Sequence, residues 1–126
     1  MKYKWNAKEI VNGWNGKPIR IPVQEDPNDE KSPIKIMDAT IRDVMLILAN
    51  NASFKTLEDS REGRRMVEAL EESRKTDSVE IDQGTHNWLK KQGEAIIPQV
   101  FRVSGEIIDN IIREGYRRTT EPKKVE

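Results

Sequence analysis

The sequence predicts an α+β fold: an N-terminal β-hairpin, with room for a third short strand, packed on three to four α-helices. Large apolar residues flank an Asn15-Gly16 pair near the N-terminus, and this dipeptide is the strongest short hairpin signal. Farther along the chain, apolar residues recur every three to four positions, which is the helical period. The chain of 126 residues fits one domain, so we assign residues 1–116 to that domain and residues 117–126 to a flexible tail.

The predicted hairpin covers residues 3–23. Asn15-Gly16 suits a type I′ turn, because both central residues of that turn need positive φ. Pro18 and Pro22 lack a backbone donor, so we expect the second strand at a sheet edge. A second pair, Asn12-Gly13, leaves the register open by a few residues or marks a bulge. The apolar residues of the two strands are Tyr3, Trp5, Ile10, Val11, Trp14, Ile19, Ile21 and Val23.

Residues 24–33 contain no large apolar side chain and include the turn-forming pair Asp26-Pro27. This composition predicts a mobile surface loop. Ile34, Ile36 and Met37 follow the loop and indicate the optional third strand.

Two helices have clear start signals. Thr40 and Asp43 have the spacing of a capping box, and a helix is expected over Ile41–Ala49. Thr56 is the candidate N-cap of a second helix over Leu57–Arg74. The acidic residues of its first turns suit the positive end of the helix dipole, so we interpret them as structural. They are Glu58, Asp59 and Glu62.

Two more helices are predicted toward the C-terminus. Asp82 or Thr85 caps the third, and Pro98 either ends or kinks it or begins a fourth helix over residues 100–112. This region is more apolar than one sparse neighbouring helix can cover, which favours a homodimer through the helix at 100–112. Its apolar residues are Ile96, Ile97, Val100, Phe101, Val103, Ile107, Ile108, Ile111 and Ile112.

The composition argues against an enzyme. The chain has no cysteine and a single histidine, His86, so it cannot supply a thiolate site or a multi-histidine metal site. Its glycines match no phosphate-binding pattern. We therefore predict no catalytic residue, no metal and no cofactor, and we interpret His86 as a surface or capping residue. No apolar run is long enough to span a membrane, and residues 1–6 lack a signal-peptide core, so we expect a cytoplasmic location.

Two kinds of binding surface remain. Trp5 and Trp14, with Ile19 and Ile21, form either a protein-binding face on the hairpin or simply cover a small core. The alternative is a nucleic-acid-binding regulator that uses arginine patches, although 22 basic and 22 acidic residues give no basic excess. Those arginines are Arg61, Arg64, Arg65, Arg113, Arg117 and Arg118.

Three segments resemble small uncharacterised accessory proteins of tailed bacteriophages and prophages. They are Gly16-Lys17-Pro18-Ile19, Thr40-Ile41-Arg42-Asp43-Val44 and Val79-Glu80-Ile81, within a similarity over residues 10–115. The resemblance implies a genomic setting and no mechanism, and none of the matching segments is a catalytic motif. With the absent catalytic equipment, it leads us to expect a non-enzymatic accessory protein that binds another protein, either as a host-factor modulator or as an assembly chaperone.

Overall fold

The computed structural model describes residues 2–24 and 28–114 and confirms the α+β class. Two antiparallel two-stranded sheets accompany four α-helices in this part of the chain. The elements are β1 (Lys2–Asn6), β2 (Arg20–Gln24), β3 (Ile34–Asp38), α1 (Ile41–Asn50), α2 (Leu57–Thr76), β4 (Ser78–Asp82), α3 (Gln83–Phe101) and α4 (Gly105–Arg113). The centre of the predicted mobile loop, residues 25–27, and the predicted tail, residues 117–126, lie outside the described residues.

The first strand does not pair within a hairpin over residues 3–23, which corrects that prediction. β1 pairs with β4, with Trp5 opposite Val79 and Tyr3 opposite Ile81. These four residues form one apolar face, and the second strand of the expected hairpin offers no equivalent partner because Pro18 and Pro22 interrupt its donors.

The Asn15-Gly16 turn itself is present. Gly16 has φ of 77°, and the Gly13 amide donates to the Lys17 carbonyl at 2.8 Å. The turn closes only a single bridge, between Asn12 and Pro18, before the chain enters β2. The position of the turn is therefore confirmed, but the predicted type I′ form is wrong, because Gly16 has positive φ and Asn15 does not.

The first two helices confirm their predicted caps. Thr40 and Asp43 form a complete capping box on α1, and Thr56 and Asp59 form another on α2. The optional third strand is also present as β3, and it pairs with β2.

Pro98 neither ends α3 nor begins a new helix. It lies inside α3, which continues to Phe101, and its exposed ring costs the helix one backbone bond without breaking it. The break comes at Arg102, where φ is 49°, and a short 3₁₀ turn over Arg102–Ser104 leads into α4. The predicted helix over residues 100–112 is thus two pieces at an angle.

The bend lets α3 and α4 cover most of the apolar surface that suggested a dimer. Ile96, Ile97, Phe101, Ile108, Ile111 and Ile112 are all buried in the core. Val100 and Val103 stay exposed. The excess apolar surface is thus largely an intramolecular contact, and the homodimer stays a prediction without that argument.

Candidate protein-interaction surface

A three-way backbone junction anchors the sheet formed by β2 and β3. The Val11 amide donates to the Ala39 carbonyl at 2.9 Å, the Ile19 amide to the Val11 carbonyl at 3.0 Å, and the Ala39 amide to the Ile19 carbonyl at 2.7 Å. Val11 and Ala39 are fully buried. The junction therefore ties the base of the β2–β3 ribbon to the core, while the rest of the ribbon pairs only with itself.

The two faces of the ribbon differ in their surroundings. Ile21 packs against the core, which makes its face the inner one on β2, whereas Met37, opposite Ile21 on β3, is 50% exposed. Directly opposite residues share a face, so Pro22 and Ile36 lie together on the outer face, beside Ile34. The side chain of Ile34 is 64% exposed and that of Ile36 57% exposed. We call Pro22, Ile34 and Ile36 the ribbon face.

Polar contacts fix the shape of the ribbon. Arg20 Nε lies 3.2 Å from Asp38 Oδ1, and Arg20 Nη2 donates to the Ile36 carbonyl at 3.3 Å. At the other end, the Gln24 amide group donates to the carbonyls of Glu30 and Ser32, each at 2.9 Å. The exposed isoleucines are thus presented on a braced two-stranded arm.

The residues predicted to bind a partner fall in different environments. Trp5 is only 1% exposed, so it belongs to the core and the protein-binding interpretation is wrong for it. Trp14 is 66% exposed on the turn before β2, and its amide donates to Ser104 Oγ at 3.2 Å. Ile19 and Ile21 are partly buried against the core. Of these four residues, only Trp14 presents most of its side chain.

The sequence interpretation missed Ile34 and Ile36 as surface residues. Their alternation with Lys35 indicated a strand, and the preceding loop without apolar residues could have indicated that the strand extends away from the core. What the pattern could not show is which face of an isolated ribbon would be left without a cover.

Three of the four described arginines of the predicted patches pair with carboxylates. Arg64 lies 3.8 Å from Glu68 Oε2, and Arg65 lies 3.4 Å from Glu62 Oε2. Arg113 binds Asp109 at 2.8 Å and Glu94 at 3.5 Å. Arg61 is exposed on α2, whereas Arg117 and Arg118 lie outside the described residues.

His86 is buried, so its interpretation as a surface residue is wrong, whereas its bond to a carbonyl in the last turn of α4 agrees with the capping alternative. Its ring is 1% exposed, stacks on Tyr3 at 3.7 Å and bonds through Nε2 to the Ile112 carbonyl at 2.8 Å. Burial lowers its pKa, and the nearby cations Lys90 and Arg113 act in the same direction, whereas the bond to Ile112 raises it. A neutral ring in this setting packs β1 against α3 and α4.

A second buried polar contact joins α2 to α3. Glu62 Oε1 accepts from the Thr85 hydroxyl at 2.7 Å. A pocket of about 240 Å³ lies beside it, lined by Glu58, Asp59, Glu62, Gly84, Asn87, Trp88 and Lys91. Asp59 already accepts from the amide of Lys55, and also from the Trp88 indole and the amide of Thr56, and these bonds lower its pKa. Among the described residues no group of three His, Cys, Asp or Glu side chains is placed to hold a metal ion.

Comparison with protein families, with curated proteins and with solved structures finds no match to this chain. None of the described helices combines the length and apolar content that crossing a membrane requires.

Proposed function

We propose that this protein is a non-enzymatic binding module that contacts another protein through the ribbon face. The observation that supports this most is the pair of exposed isoleucines, Ile34 and Ile36, on a braced arm that leaves the core. Exposed apolar patches on monomeric proteins frequently mark interaction sites.

The architecture of the arm supports the same proposal. A two-stranded ribbon is marginally stable alone, and it gains stability when a third strand or another surface covers its apolar face. Here the junction of Val11, Ile19 and Ala39 holds the base while the ribbon face stays uncovered within the described chain. A partner that buries Ile34 and Ile36 would supply the missing cover.

The biological setting belongs to the proposal as well. The resemblance to bacteriophage and prophage accessory proteins favours a host-factor modulator or an assembly chaperone acting in the cytoplasm. The alternative function, a nucleic-acid-binding regulator, stays a prediction, and the pairing of Arg64, Arg65 and Arg113 with carboxylates favours it less than protein binding. Self-association through residues 100–112 is left to light scattering at high protein concentration.

Site-specific photo-crosslinking tests the proposed function. A benzoylphenylalanine at position 36 should give a discrete covalent adduct in cells that carry the gene, and the same group at Val67 should not. Val67 is a matched control because its side chain is 44% exposed on α2, outside the ribbon. Ile34→Thr should weaken capture while keeping a β-branched strand residue. Identical adducts from both positions, or none from position 36, would refute the proposal.

A further inference from the structure

The two outer edges of the ribbon are not equivalent. The Ala39 amide donates to the Ile19 carbonyl, so these two backbone groups point into the space between the two strands. In an antiparallel ladder, pairs whose backbone groups bond across the two strands alternate with pairs whose backbone groups point away from them. The pairs Ile21–Met37 and Val23–Lys35 therefore also bond across the strands. The three remaining pairs therefore direct their backbone groups outward: Arg20–Asp38, Pro22–Ile36 and Gln24–Ile34.

This alternation leaves one edge competent to add a strand. On β2 the middle outward position is Pro22, which has no N–H to donate. On β3 the outward positions are Ile34, Ile36 and Asp38, all of which carry an N–H, and no strand is paired to that edge in the described part of the chain. The Ile36 carbonyl already accepts from Arg20, and its second lone pair remains for a neighbour.

The side chains of β3 specify what such a strand should carry. Ile34-Lys35-Ile36 repeats the apolar–lysine–apolar order of Tyr3-Lys4-Trp5 in β1. In this same protein β1 pairs with Val79-Glu80-Ile81, which places Glu80 opposite Lys4 and apolar residues on either side. The complement of an apolar–lysine–apolar strand is thus an apolar–acidic–apolar strand.

A second copy of β3 is a poor occupant of the same edge. Antiparallel pairing that sets Ile34 opposite Ile36 of the copy also sets Lys35 opposite Lys35, and like charges directly opposite are destabilising. The register that sets Ile36 opposite Ile36 of the copy instead sets Ile34 opposite Asp38. Both registers contain an unfavourable pair, which favours a segment of a different protein as the strand that pairs with β3.

We propose that the outer edge of β3 accepts an extended segment of a partner protein with an apolar–acidic–apolar order, as a third strand of the ribbon. The inference rests on the proposed binding function and adds its mode. Backbone hydrogen bonds to Ile34, Ile36 and Asp38 would supply the affinity, and contacts with Ile34, Lys35 and Ile36 would supply the specificity.

A capped synthetic peptide with the sequence of residues 76–83, which contains Val79-Glu80-Ile81, is the probe. Added to the full chain at millimolar concentration, it should slow amide hydrogen exchange at Ile34, Ile36 and Asp38 at least about tenfold, since these amides gain acceptors. The amides of Lys35 and Met37 already face β2 and should change little. Exchange at the three outward amides that stays unchanged would overturn the proposal.

Two matched controls separate strand addition from simple apolar contact. In the added strand, every second peptide amide faces β3. N-methylation of those amides should abolish binding, whereas N-methylation of the amides that face away should preserve it. Equal effects of the two methylations would contradict strand addition. A peptide with Lys in place of Glu80 should bind about two- to fivefold more weakly to the natural chain and more tightly to Lys35→Glu. If the crosslinked adduct forms at position 36 but exchange at the three outward amides does not slow, the binding mode is wrong and the binding function stands. If no adduct forms at position 36, the binding function itself is refuted.

Discussion

The indole N–H of Trp5 donates to the backbone carbonyl of Ile111 at 2.9 Å, across 106 positions of sequence. Ile111 lies in the last turn of α4, where carbonyls have no partner inside the helix. His86 Nε2 takes the next carbonyl, that of Ile112. Ring N–H groups from β1 and α3 therefore cap the C-terminal end of α4 and connect the two ends of the described chain.

Trp5→Phe tests this cap. The variant keeps an aromatic ring but leaves the buried Ile111 carbonyl without its donor, so we expect a loss of about 1–3 kcal/mol in the free energy of unfolding. Urea denaturation measures it. Trp14→Phe is the matched control, because Trp14 is exposed and its change should stay within about 0.5 kcal/mol. Equal losses in the two variants would contradict the role of the indole donor.

The buried ring of His86 predicts a loss of stability in acid. Burial lowers its pKa in the folded protein, so the unfolded chain binds the proton more tightly. The free energy of unfolding should therefore decline as the pH falls below about 6.5, the ordinary pKa of the ring, toward the lower folded-state value. No described residue partners Nδ1, which leaves the protonated ring without a second acceptor.

The comparison for this prediction is His86→Gln, which keeps a side-chain N–H donor and does not titrate. Urea unfolding of both proteins at pH 7.5 and pH 5.5 should show a steeper decline for the natural chain. Asp59 and Asp82 also have lowered pKa values, but as carboxyl groups they lose their contribution at lower pH and do so in both proteins. Parallel declines would exclude His86 as the source.

Local signals in the sequence predicted much of the fold. The capping box at Thr40, the N-cap at Thr56, a turn at Asn15-Gly16 and the third strand are all present, because each depends on neighbours within a few residues. Strand pairing depends on the whole chain. β1 pairs with β4 rather than with the nearby β2, and no local pattern distinguishes these two partners.

The candidate surface was predicted only in part for the same reason. An alternating strand with one apolar face is usually covered, and nothing in Ile34-Lys35-Ile36 states that the core ends before it. Trp5 shows the opposite error, since a large aromatic in a polar N-terminal segment is buried by elements more than 70 residues away. Exposure is a tertiary property, so these two assignments needed the structure.

Thr85→Val should destabilise the contact between α2 and α3. The substitution keeps the shape of the side chain but removes the hydroxyl that donates to the buried carboxylate of Glu62 at 2.7 Å. A buried acceptor that loses its donor costs about 1–3 kcal/mol. Thermal unfolding measures the loss, and Thr85→Ser should recover most of it because the hydroxyl returns. If the serine variant is no more stable than the valine variant, the loss of stability arises from packing and not from the hydrogen bond.

Arg102→Gly should stabilise the protein relative to Arg102→Ala. Arg102 adopts φ of 49° and ψ of −117°, a conformation that costs a residue with a Cβ atom and that glycine adopts freely. Both variants remove the same long side chain, so their difference isolates the backbone. We expect glycine to be more stable than alanine by about 1 kcal/mol in urea denaturation. If the alanine variant is as stable as the glycine variant, Arg102 does not have positive φ at the end of α3. The bend between α3 and α4, which buries Ile108, would then need another cause.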